Sequence, residues 1–219
     1  MEDVGIDIFS ILQSEFPDLS HHSFIEVGSG TGRISVQLAK HGAKVVLLDP
    51  SEAALGISKS FFSRAGTTGG LVRASGFRIP CKSSSFDVVW NTGLIEHFLF
   101  DDQVRLLGEM LRVLKPAGTL VTFNPSHDGK VYRIGKYLLE RTGRWHYGRE
   151  IPIRSLKPHC EVLRVKLVRE WNTSFDIQFY YFGKYGLPLQ RFFRGRSTMN
   201  MMLARILGGY LKVSVIQKA

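Results

Sequence analysis

The sequence predicts an α/β fold built on a mostly parallel sheet with helices on both faces. Three observations carry that prediction. Short apolar runs (24–27, 43–48, 71–74, 86–90 and 119–123) alternate with stretches of helical periodicity, the pattern of βαβ units. The first run feeds straight into Gly28-Ser29-Gly30-Thr31-Gly32, and the second closes on Asp49. Ligands of such sheets bind outside the carboxyl ends of the strands, where both features are expected to lie.

Taken in order, Asp3 to Glu15 carries Val4, Ile8, Ile11 and Leu12 at helical spacing, and Pro17 ends the pattern. The first strand is Phe24–Val27, followed by a helix from Thr31 to Lys40 that Gly42 closes. The second strand, Ala43–Leu48, leads through Asp49-Pro50 to Ser51, the expected N-cap of a helix reaching Arg64. Leu71–Ala74 is the third strand, Ser75 to Pro80 a loop, and Phe86–Trp90 the fourth strand. Asp101-Asp102 is expected to cap the next helix, whose apolar face is Val104, Leu107, Leu111 and Leu114. Lys115-Pro116-Ala117-Gly118 is expected to stop it before the fifth strand, Thr119–Phe123.

After Asn124 the rhythm changes. A helical stretch (131–140) and the patch Arg144-Trp145-His146-Tyr147 come first, then a strand-like run over 161–171. An aromatic-rich segment (175–193) and a last apolar run (210–216) close the chain.

At 219 residues, 44% hydrophobic and 22% charged, the chain has the length and make-up of one globular α/β domain. No run approaches the roughly 18 apolar residues needed to span a bilayer. Met1-Glu2-Asp3-Val4 lacks the layout of a signal peptide, and two cysteines, Cys81 and Cys160, make no disulfide framework. Both point to a reducing cytoplasm. No Cys/His cluster has zinc spacing, so no metal is expected. Residues 1–124 carry 11 Lys/Arg against 13 Asp/Glu, residues 125–219 carry 18 against 6, and the whole stands at +10. A basic last part suits an anionic substrate, a membrane surface or nucleic acid, or is simply a solvated face.

The glycine spacing bears on the ligand. A dinucleotide turn wants G-x-G-x-x-G, but here Gly28, Gly30 and Gly32 alternate and Arg33 follows. Four blocks stand in order: Glu26-Val27-Gly28-Ser29-Gly30-Thr31-Gly32; Leu48-Asp49; 84–90 running on through Leu94-Ile95-Glu96-His97-Phe98; and Leu111-Arg112-Val113-Leu114-Lys115-Pro116-Ala117-Gly118-Thr119-Leu120. Over residues 24–124 they resemble the class I S-adenosylmethionine-dependent methyltransferases of the type 11 group, which includes quinone- and lipid-modifying enzymes. The resemblance implies a Rossmann-like fold with a seven-stranded sheet. The runs 161–171 and 210–216 would be its antiparallel terminal hairpin, and the segment 126–206 its acceptor-side insertion within one domain.

It also implies S-adenosylmethionine as cofactor and S-adenosylhomocysteine as product. Gly28, Ser29, Gly30 and Gly32 would face the methionine end, Glu26 would brace their loop, and Asp49 would accept both ribose hydroxyls. Pro50 and Ser51 would line the adenosine side. Ser75 and Gly76 would meet the adenine, Ser75 standing where many relatives place an aspartate. Asn91, placed beyond the fourth strand, would lie beneath the methyl group.

Methyl transfer depends mainly on alignment and exclusion of water, and a base helps when the acceptor is a hydroxyl or ring carbon. His97, beside Glu96 and near the site, is the candidate; the same pair would also serve simply to shape its loop. His127 and His146 are weaker candidates. Phe175, Phe179, Tyr180, Tyr181 and Phe182 would wall a pocket for a small-molecule or lipid-like acceptor. Two other readings stay open: an RNA methyltransferase using the basic last part, with no RNA-binding module visible, and a non-catalytic module of the same fold. Oligomeric state is not legible.

Overall fold

The computed structural model describes residues 2–194 and 196–218. The side chains of residues 2–4 and 197, Val4 of the predicted apolar stripe among them, lie outside the described residues. The sheet is assembled around β1 (Ser23–Val27), whose residues Phe24, Ile25 and Val27 are fully buried. A strand covered on both faces reads as a continuous apolar run, and this one does. β1 pairs in parallel with β2 (Lys44–Asp49) on one side and β4 (Phe86–Thr92) on the other. β3 (Gly70–Arg73) extends the sheet beyond β2, and β5 (Leu114–Pro125) beyond β4, both in parallel. β7 (Leu211–Gln217) lies antiparallel between β5 and β6 (Lys166–Thr173), giving the order β3-β2-β1-β4-β5-β7-β6. The expected seven-stranded, mostly parallel sheet with an antiparallel end is therefore present. Chain order reverses between β1 and β4, so the crevice of this fold opens at their carboxyl ends.

Two apolar layers cover the sheet. On one face α1 (Glu2–Glu15), α2 (Arg33–Lys40) and α3 (Glu52–Arg64) bury Ile8, Leu12, Leu38, Leu55 and Phe62 against Phe24, Val88, Trp90 and Phe123. On the other, α4 (Phe100–Val113) sets Leu106, Leu107 and Met110 against Ile25, Val27 and Val89. Each fully buried side chain of this size contributes about 1.5–3 kcal/mol. The last part of the chain adds α5 (Lys130–Arg141), α6 (Lys157–Leu163), a 3-10 segment (Asp176–Tyr185), α7 (Leu187–Arg194) and α8 (Ser197–Leu207). Ser51 is the N-cap of α3 as expected, its Oγ accepting from Ala54 N at 3.2 Å.

Four local expectations are corrected. Asp101 and Asp102 do not cap α4: the helix starts at Phe100 after Leu99, with no side-chain cap, and the two acids occupy its first turn. There their charge complements the helix dipole instead. Lys115 to Gly118 do not precede the fifth strand but belong to it, carried by an irregularity between Phe86 and Val88 of β4 and by Ala117 at φ 58°. Residues 161–163 finish α6, because Leu156, Cys160 and Leu163 bury or half-bury at helical spacing, and Arg164 at φ 54° ends it. Asn91 lies inside β4 rather than beyond it, fully buried.

Candidate active site

At the carboxyl end of β1 the backbone turns sharply: Gly28, Gly30 and Gly32 take φ of 70°, 51° and 62°, a region that L residues rarely enter. Gly32 has a second reason to be glycine, since a Cβ there would sit 1.9 Å from Leu47 Cδ2. A Cβ on Gly30 would meet nothing within 4 Å among the described residues, so that backbone faces open space. The turn is tied to β2 by Gly28 N and Ser29 N, both donating to the Leu48 carbonyl, and by Gly30 N donating to Asp49 Oδ2 at 2.8 Å. Ser51 N donates to Asp49 Oδ1, also at 2.8 Å. Each oxygen of this carboxylate therefore holds one amide and keeps further acceptor capacity.

Beside the turn lies a cavity of about 700 Å³, within the size range of small-molecule sites. Glu26, Ser29, Thr31, Gly32 and Arg33 form its floor near the glycine turn, and Gly5, Ile6 and Phe9 of α1 cover it. The lining also includes Glu96, His97, Tyr147, Glu150, Tyr181 and Tyr210. Of the residues expected at the site from sequence, Glu26, Ser29, Gly32 and His97 line this cavity. Gly28, Gly30, Asp49, Pro50, Ser51, Ser75, Gly76 and Asn91 are not among its lining residues. Leu94 packs between Gly28 and the loop after β3, its methyls against Gly28 and reaching toward Gly76. Ser75 accepts a local bond from Phe77 N at 3.3 Å. Asn91 has no hydrogen-bond partner for either side-chain amide atom among the described residues.

Two of the cavity's acidic side chains, Glu26 and Glu96, are buried, and Glu150 is half-buried. Glu26 accepts from Ser35 Oγ of α2 at 2.6 Å; burial pushes its carboxyl up to about 8, helped by the nearby Asp49 charge and opposed by Ser35. Glu96 and His97 are consecutive in the single 3-10 turn Ile95–His97 after β4, which aims them differently. The Glu96 side chain is 1% exposed and that of His97 34%. Burial takes Glu96 to about 8 as well, with Glu150 adding to the rise. His97 Nδ1 lies 2.8 Å from the Arg149 carbonyl. A carbonyl only accepts, so Nδ1 carries the proton, and the Nε2 of the neutral ring keeps its lone pair.

The loop after α5 supplies Glu150. Its carboxylate takes the hydroxyl of the fully buried Tyr132, and burial raises it above the ordinary range. Tyr132, Tyr181 and Tyr210 pack with ring centroids 4.7–5.4 Å apart, and Tyr147 stands edge-on to Trp145 at 5.1 Å. Of the five aromatics expected as wall, Tyr181 alone lines the cavity. Phe175 and Phe179 pack on Phe193 instead. His127 is engaged with Arg154 at 3.2 Å, and neither it nor His146 reaches the cavity. Among the described residues no group of acids, histidines and cysteines is arranged to hold a metal.

Glu150 and Tyr210 escaped the sequence reading. The signal for Tyr210 was its place at the head of the last apolar run. Glu150 offered none, since it sits in a loop over fifty residues from Glu96.

The comparisons agree with this geometry. Residues 25–122 match the family described as a methyltransferase domain, Methyltransf_11. A ubiquinone biosynthesis O-methyltransferase of Rhizobium rhizogenes is 25% identical over 121 residues, 55% of this chain and 48% of that protein. The chain thus spans about half the length of the curated relatives it matches first. Among solved structures, the magnesium protoporphyrin IX methyltransferase of Synechocystis, with bound S-adenosylhomocysteine, superposes with a TM-score of 0.67 at 14% identity, covering 99% of this chain and 82% of that one. The [4+2]-cyclase SpnF gives 0.68 at 13% identity, covering 97% and 80%; at such identities the likeness is one of fold. Residues 25–122, which hold the glycine turn and Asp49, thus resemble a methyltransferase domain, and the fold is shared with these solved structures.

Proposed function

We propose that this protein is an S-adenosylmethionine-dependent methyltransferase acting on a small molecule. The observation that carries the reading is one cavity lined by Glu26, Ser29 and Gly32 together with Glu96, His97 and three tyrosines. The residues fit the cofactor. Ser29 Oγ is buried and has no hydrogen-bond partner among the described residues, Gly30 faces open space, and Asp49 keeps acceptor capacity at a strand tip. Ser29, Glu26 and the turn amides would hold the amino-acid end, and Asp49 with Ser51 the ribose. Solved neighbours of the same fold carry S-adenosylhomocysteine.

When bound, the cofactor supplies a methyl group already activated on a sulfonium centre. What remains for the chain is to orient the acceptor, exclude water and accept a proton. Ile6 and Phe9 of α1, with Tyr181 and Tyr210, enclose the space apolarly. His97 Nε2, free of its neighbour carbonyl, is the atom suited to take a proton from the acceptor.

A cavity of about 700 Å³ is within the size range of small-molecule sites, which favours a small acceptor over a polynucleotide. Arg144, Arg149 and Arg191 are exposed and are not among the cavity's lining residues. No helix among the described residues is long and apolar enough to cross a membrane.

The test is incubation with methyl-labelled S-adenosylmethionine and a panel of amines, phenols and carboxylates. Label in a small acceptor, abolished by filling the site with excess S-adenosylhomocysteine, is the expected result. Cofactor binding with no label in any acceptor would overturn it in favour of a non-catalytic module.

A further inference from the structure

The half of the cavity away from the glycine turn has a definite chemistry. Glu96 and Glu150 enter it from the turn after β4 and the loop after α5, and Tyr147, Tyr181 and Tyr210 form the wall between them. Glu96 Oε2 is buried without a hydrogen-bond partner among the described residues. His97 Nε2 lies 3.9 Å from Glu96 Oε1, beyond hydrogen-bond reach. Glu150 gives one oxygen to Tyr132, and Lys136 and His97 offset part of its charge. Lys136 is itself paired with Glu140 and lies over the Trp145 ring. Burial and Glu150 both disfavour charge on Glu96, and the basic group beside it is the His97 ring. Arg33, the one arginine of the lining, lies on the turn side, over Phe61.

A buried carboxylate with an unused oxygen is costly unless a donor or a cation meets it. An ammonium group would meet that need and favour the charged form of both carboxyls, whereas a further anion would add charge where burial already disfavours it. Tyrosine faces add to that preference, because their quadrupoles favour cations. The surface of the last part of the chain is basic, but the interior of the site is acidic. An anionic acceptor would be drawn to the surface and rejected inside.

Building on the methyltransferase reading, we propose that the acceptor site takes a small amine in its ammonium form, with Glu96 and Glu150 receiving its N–H groups and Tyr181 and Tyr210 flanking its apolar body. A protonated nitrogen supplies up to three donors, enough for both carboxylates. Charge-assisted bonds of this kind are about twice as strong as neutral ones. Burial of the pair from water strengthens them further.

The experiment is calorimetric titration of three amines (tyramine, benzylamine and butylamine) into the full chain, each beside the alcohol and the carboxylate of the same skeleton. Titrations are run with and without S-adenosylhomocysteine. At least one amine is expected to bind, its alcohol about tenfold more weakly or worse, and its carboxylate not measurably. E96Q and E150Q are each expected to weaken the amine by about tenfold or more while leaving S-adenosylhomocysteine affinity nearly unchanged. Thermal unfolding identifies a variant that fails to fold, and the half-buried, loop-borne Glu150 then carries the test alone.

Absence of binding by all three amines up to about 5 mM, equal binding of amine and alcohol, or tighter binding of the carboxylate would each overturn the proposal. So would amine affinity unchanged in both glutamine variants. Failure of S-adenosylhomocysteine to bind would instead count against the methyltransferase reading, and the amine titrations of the free protein would still decide this inference.

Discussion

The amide of Ile151 donates to the carbonyl of Glu96 at 2.7 Å, and together with His97 Nδ1 on the Arg149 carbonyl this bond ties the loop after α5 to the turn after β4. It holds Glu150 and Glu96 in one cavity although neither lies on a regular element. Ile153 extends the attachment: its amide donates to the Pro125 carbonyl at 3.1 Å, and its carbonyl accepts from His127 N.

Replacing Ile151 with proline removes the donor. A lost backbone hydrogen bond costs about 1 kcal/mol, so Tm should fall by about 2–4 °C for a chain of this size. Acceptor turnover should fall much further than the affinity for S-adenosylhomocysteine, because the loop carries acceptor-side residues only. Equal losses in both measurements would mean that the loop does not separate the two functions.

The buried acids predict a pH dependence of stability. Glu26 and Glu96 rise from 4.5 to about 8 on folding, so the native state holds protons that the unfolded chain gives up. Their contribution is complete below about 4.5 and is lost as pH rises through about 8. Glu26→Gln keeps a neutral side chain and should flatten this part of the curve. Thermal melts from pH 5 to 8.5 check it: the difference in Tm between wild type and variant should shift in the variant's favour toward high pH. A difference constant with pH would show that Glu26 does not titrate in that window.

The glycine turn predicts two alanine variants of different kind. Gly32→Ala drives a Cβ into Leu47 at a positive φ and should cost about 1–3 kcal/mol from overpacking, with strain of similar size. Gly30→Ala meets no neighbour within 4 Å among the described residues, so its cost is the strain alone, about 1 kcal/mol. Its methyl would project into the space left for the cofactor. Chemical denaturation should therefore rank Gly32→Ala as the less stable variant, while Gly30→Ala binds S-adenosylhomocysteine more weakly than its stability explains.

The first half of the chain was legible because local signals agreed there. Apolar runs, the glycine turn, Pro50 before the Ser51 cap, and Asp49 all point to one topology, and through the fourth strand the boundaries differ from the observed ones by one or two residues. Where the sequence misled, tertiary packing decided. Residues 161–163 look like strand because Val162 and Leu163 are apolar, yet they finish a helix whose buried side chains include Cys160. Lys115 to Gly118 look like a breaker, yet the strand absorbs them through an irregular register. The glycine turn and Asp49 were legible because they lie within one βαβ unit. The acceptor half draws on Glu96, Glu150, Tyr181 and Tyr210 from four separate segments, and no spacing rule joins them.

The account rests on Asp49 and the glycine turn forming a nucleoside site although Asp49 stands outside the cavity lining and Leu94 packs between them and the loop after β3. The most direct measurement is calorimetric titration of S-adenosylhomocysteine into the wild-type chain and into Asp49→Ala, each checked for folding by thermal melt. Hydrogen bonds to a charged group contribute about 1.5–3 kcal/mol. The account therefore predicts measurable binding by the wild type and a loss of roughly 10- to 150-fold in the variant. Absence of binding by the wild type, or equal affinity in a folded Asp49→Ala, would contradict it.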